Sequence, residues 1–168
     1  ARKTPPELDG VTFIDRAEEK RLQAESAMCG EAIEHIQGEL RSLGFVMREA
    51  ATDTEPVTAF IAIHRADNDS LVARAVPDIR KRNFQITFIE PSKLIGSAGG
   101  GYGEGVRVYD IRENEIPKQM QRYAEWMEGV QKYMGELPGS ELSEDGLPMY
   151  PMDWGSVRMK QQELNPFK

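Results

Sequence analysis

His35 has Glu31 and Glu39 four residues to either side, a spacing that stacks one imidazole and two carboxylates on the same face of a helix. Such a cluster is the beginning of a transition-metal site, which would need further ligands from a second element. The second long helical segment offers Glu125 and Glu128 but no histidine, and the spacing is not the H-E-x-x-H of a zinc protease. A solvated charged face is therefore expected, with no metal and no cofactor. His64 is followed by Arg65, Asp67 and Asp69, which could set a general base at a strand end. At a polar hairpin turn, a structural histidine is the expectation. Cys29, the single cysteine, falls on an apolar helical stripe and is expected to be a buried, inert thiol. No serine stands in a G-x-S-x-G context, so nucleophilic catalysis has no visible support. The glycine-rich run from Gly96 to Gly105 leads into a strand-like segment, whereas a phosphate cradle needs backbone N–H groups gathered at the start of a helix. It is expected to be a connecting loop.

Two acidic residues and a lysine flank a strand-like stretch: Pro77-Asp78 before it, Glu90-Pro91-Ser92-Lys93 after it. This order resembles the PD-(D/E)xK nucleases. The resemblance implies a metal held by Asp78 and Glu90, with Lys93 assisting the attacking water. It covers 17 residues and departs from the motif, because two residues separate acid from lysine where the family has one. A single intervening residue points both side chains to one face of a strand, and two do not. A metal-dependent nuclease is accordingly the alternative enzymatic reading.

Binding surfaces are suggested at two places. Arg80, Lys81 and Arg82, with Arg74 and Lys93 nearby, form the basic cluster, which suits a solvated turn or a docking patch for an acidic partner. From Glu136 onward, Pro138, Gly139, Gly146, Pro148, Pro151, Gly155 and Pro166 interrupt any regular pattern. Among them stand Met149, Tyr150, Met152, Trp154, Met159 and Phe167, anchors that a disordered linker would usually lack.

The elements that must position these groups follow from apolar periodicity. Asp15 and Glu18 make a capping-box-like start, after which Leu22, Cys29, Ile33, Ile36, Leu40 and Leu43 recur at helical spacing, predicting a long amphipathic helix over 15–43. Gly30 and Gly38 inside it suggest that another backbone approaches closely or that the helix bends, with accidental surface glycines as the alternative. Strands are predicted at Phe45–Ala51, Val57–Arg65, Leu71–Val76, Phe84–Ile89 and Val106–Ile111, with Asp67-Asn68-Asp69-Ser70 as a hairpin turn. Short connections favour antiparallel pairing. A second amphipathic helix is predicted over 115–134, begun by Asn114 and ended by Gly135. The expected fold is α+β, a two-layer sandwich of a long N-terminal helix, an antiparallel meander of four or five strands and a second helix. Residues 1–14 read as an arm, 15–135 as one domain and 136–168 as an extended tail.

The chain has 168 residues, enough for one ordinary core, and a net charge of −7. Residues 1–56 carry 7 basic and 12 acidic groups, 57–111 carry 7 and 6, and 112–168 carry 7 and 10, so the acidity belongs to the two ends. Nucleic acid is thus a less favoured partner, restricted to the slightly positive middle. One cysteine excludes a disulfide framework, and no apolar run spans a membrane. The start, Ala1-Arg-Lys-Thr-Pro-Pro, lacks the apolar stretch of a secretory signal, which suggests a cytoplasmic protein. The leading expectation is a non-enzymatic assembly subunit, homo- or hetero-oligomeric. It would dock on neighbouring chains through the anchors of its tail, in a large assembly such as a virus particle. An acidic regulator that binds a basic partner is a further alternative.

Overall fold

A computed structural model describes residues 15–95, 105–137 and 153–168. Its first element is α1 (Arg16–Ser42), which starts where the Asp15 carboxylate accepts the Glu18 N–H at 2.9 Å. It ends at Gly44, whose φ of 93° is a left-handed conformation suited to glycine after a helix. Four strands follow in a meander, β1 (Phe45–Ala51), β2 (Ala59–Arg65), β3 (Leu71–Asp78) and β4 (Asn83–Phe88). A one-turn helix, α2 (Pro91–Leu94), precedes β5 (Val106–Ile111), and a short 3-10 turn then leads into α3 (Ile116–Glu136). The expected mixed α+β architecture is what the chain adopts. The sheet has five strands in the order β1-β2-β3-β4-β5, every neighbouring pair antiparallel.

Several boundaries differ for physical reasons. β3 continues through Pro77, because its pairing with β2 ends at Ala75 and the proline lies where only β4 remains as a neighbour. α3 is preceded by the turn Glu113–Glu115, with the Glu115 carboxylate accepting the Arg112 N–H, so Asn114 is not its cap. Gly135 lies within the helix. The close approach expected at Gly30 and Gly38 is absent among the described residues. Both are exposed, and an added Cβ would have nothing within 4 Å. Gly105 is where crowding occurs, since a Cβ there would collide with the Phe88 carbonyl oxygen.

The extended tail is corrected over its last part. Asp153 accepts the Ser156 N–H and hydroxyl, starting α4 (Trp154–Leu164) despite Gly155. α4 packs on α3. Val157 is fully buried, and Phe167 stacks on Phe88 at 4.6 Å and meets Trp126 edge-on at 6.0 Å. The core thus lies between one sheet face and a helical layer, with Phe84, Ile86, Phe88, Tyr123 and Met120 among its buried side chains. The outer edge of β1 is covered by Gln37 of α1, whose amide both donates to and accepts from the Met47 backbone at 2.9 Å. Among the described residues no helix is long and apolar enough to cross a membrane.

Candidate docking surface on the open sheet face

Side chains alternate across a strand, so the residues between the core positions point away from the helices. Cross-strand partners share a face. The register pairs Arg48 with Ala62, Ala62 with Arg74, Arg74 with Thr87 and Thr87 with Arg107, one row running across all five strands. Arginines occupy alternate strands, and strands lie about 4.8 Å apart, so the arginine positions recur about every 10 Å. On one side of this row stand Val46, His64 and Leu71, which also pair with each other. On the other side are Ala50 opposite Phe60 and Val76 opposite Gln85. Tyr109, two residues beyond Arg107, is 59% exposed. Among the described residues no helix covers this face.

Local contacts fix its electrostatics. Arg48 pairs with Asp69 at 2.8 Å, both largely exposed, and the Arg74 guanidinium lies 5.5 Å from the centre of the Phe60 ring. The Nδ1 of His64 is 3.0 Å from the Asp69 carbonyl oxygen, which ties the histidine to the hairpin turn, as expected of a structural role. The ring of Phe60 and the stems of the arginines supply apolar area, and the guanidinium heads supply charge.

The other candidate residues are dispersed. Asp78 faces Asn83 at the start of β4, whereas Glu90 lies beyond its far end, so six strand residues hold the two about 20 Å apart. The Asp78 carboxylate accepts the N–H groups of Arg80 and Lys81 and shapes the turn. Glu90 accepts a 2.6 Å hydrogen bond from the Gln161 amide, and Lys93 sits half-buried in α2. The three residues of the nuclease resemblance are therefore not brought together. Arg80, Lys81 and Arg82 are exposed at the β3–β4 turn, with Lys81 3.5 Å from Asp110. Trp154 and Phe167 pack on the chain's own core, while Met159 is 74% exposed. Met149, Tyr150 and Met152 lie outside the described residues, as do the arm and most of the glycine-rich run.

His35 bonds Glu113 at 3.0 Å across the α1–α3 junction, and this hydrogen bond raises its pKa. Among the described residues no group of three or more His, Cys, Asp or Glu is placed to hold a metal ion. Burial, with smaller contributions from Glu49 and Glu25, pushes the Cys29 thiol up to about 12. The arginine row escaped sequence reasoning, which noted Arg74 alone. Its only sequence signal is an arginine at an outward position of three strands. Comparison with protein-family models, with curated proteins and with solved structures gives no match.

Proposed function

We propose that this chain is a non-enzymatic assembly subunit that docks on neighbouring chains through the open face of its sheet. The observation that supports this reading is the composition of that face. Phe60, Val46 and Val76 give it apolar area, Tyr109 gives it an exposed aromatic ring, and Arg74 and Arg107 add guanidinium groups beside the Arg48–Asp69 ion pair. Aromatic and arginine side chains are enriched where proteins meet, because they combine large contact area with directional hydrogen bonding. Antiparallel sheets commonly leave one face to solvent, but that face is then usually polar throughout.

A second reading places docking in the tail, through Met149, Tyr150, Met152 and Met159. It keeps one favouring observation, the exposure of Met159 on α4. Trp154 and Phe167 serve the internal core instead.

Site-specific photocrosslinking tests the first reading. A photoreactive phenylalanine analogue replaces Tyr109, or replaces Gln121 on the exposed side of α3, in the cells that make the protein. The docking reading expects discrete crosslinked species from position 109 and none from 121. No adduct at 109, or the same pattern from both positions, would remove it.

A further inference from the structure

The partner of the open face can be named from a second surface of the same molecule. Gly30 and Gly38 are exposed on α1, and glycine is among the least favourable residues inside a helix. Among the described residues nothing lies within 4 Å of a Cβ added at either position, so no packing among them accounts for the glycines. Glycine on a helix surface lets another backbone come close. At 100° per residue, Ala27, Gly30, Glu31, Glu34 and Gly38 share one side of α1, and all five are exposed. From Ala27 to Leu40 the helix carries Glu31, Glu34 and Glu39 and no lysine or arginine. The same molecule thus presents a smooth acidic helix on one layer and a row of arginines on the other.

We propose that the open sheet face is covered by α1 of a second copy of this chain, with the Gly30, Glu31, Glu34 and Gly38 side laid across Arg48, Arg74 and Arg107. This inference rests on the docking reading and supplies its partner. Small residues on α1 bring its backbone down onto Phe60, Val46 and Val76. The two surfaces differ, so the contact is head-to-tail and builds a ring or an open filament.

Sedimentation velocity on the full chain tests this, with circular dichroism to confirm folding. Wild type is expected to self-associate in a concentration-dependent, salt-sensitive manner. The variant Arg48→Glu/Arg107→Glu and the variant Glu31→Arg/Glu34→Arg/Glu39→Arg should each weaken association at least tenfold. An equimolar mixture of the two should restore it, because each then meets the opposite charge. Gly30→Leu/Gly38→Leu should also abolish association while leaving the melting temperature unchanged or raised. A wild type that stays monomeric, or a mixture that fails to associate, would overturn the proposal. So would a single-stranded oligonucleotide that binds wild type and not the arginine variant. Association lost in the arginine variant but intact in the glutamate variant leaves the docking reading standing and removes only α1 as the occupant. Association indifferent to both removes the proposal and the docking reading of this face together.

Discussion

Gln161 is a polar side chain that is 3% exposed, and it satisfies several groups at once. Its amide oxygen accepts the Ser92 N–H at 2.7 Å, its amide nitrogen donates to Glu90, and its backbone carbonyl accepts the Trp126 indole N–H at 2.9 Å. Gln161→Leu keeps the backbone contact but strands the Ser92 donor and the Glu90 acceptor, which is expected to cost about 1–3 kcal/mol in urea unfolding. An unchanged midpoint would mean that water replaces the amide. His35 gives a pH signature. Its pKa is raised in the folded chain by Glu113, so the pair's stabilisation is complete below the ordinary histidine value and is lost as pH rises through the raised one. An NMR titration should show the elevated His35 pKa, and Glu113→Gln should return it toward the ordinary range. Cys29, buried and with its thiol pushed up to about 12, should react with a disulfide reagent only as fast as the chain opens.

Among the elements, α1 and α3 were legible because their apolar residues recur at helical spacing; the ends of α1 also carry turn chemistry, whereas Asn114 and Gly135 do not bound α3. α4 was not. Its inward residues are Trp154, Val157 and Gln161, and the glutamine breaks the apolar pattern where a hydrogen-bond network takes over from packing. Gly155 and the surrounding prolines added to the impression of irregular chain. The strands were legible from alternation and from the turn at Asp67–Ser70, whereas the extension of β3 through Pro77 depended on where its neighbour stops. Because α4 and Phe167 complete the core, the last sixteen residues are not a separable appendage. Phe167→Ala removes a ring stacked on Phe88 and is expected to destabilise by about 2 kcal/mol, read by thermal or chemical denaturation. Gly105→Ala should also destabilise, since the added methyl meets the β4 backbone and the end of β5 must move away. Equal melting temperatures for wild type and Gly105→Ala would show that β5 yields without loss.

At the scale of the whole molecule, the net charge of −7 is a sum over unlike surfaces. The sequence located the acidity in the end sections, and α1 carries part of it on the helical layer. The slightly positive middle forms β2 to β5, β1 comes from the acidic first section, and the outward face of the sheet bears Arg48, Arg74 and Arg107. That row could not be seen in the linear chain, because it depends on register. A bulge shifts the pairing between Ile63 and His64, and a second shift lies between Phe84 and Ile86. Turn lengths alone do not specify such shifts. The residues of the nuclease resemblance, near in sequence, lie at opposite ends of one strand. The central claim is that the open face, and not the tail, meets a neighbouring chain. Hydroxyl-radical footprinting compares Tyr109 and Met159, both well exposed in the isolated chain, in dilute protein and in the native assembly. The account predicts that assembly protects Tyr109 and leaves Met159 as reactive as before; protection of Met159 with Tyr109 still fully reactive would contradict it.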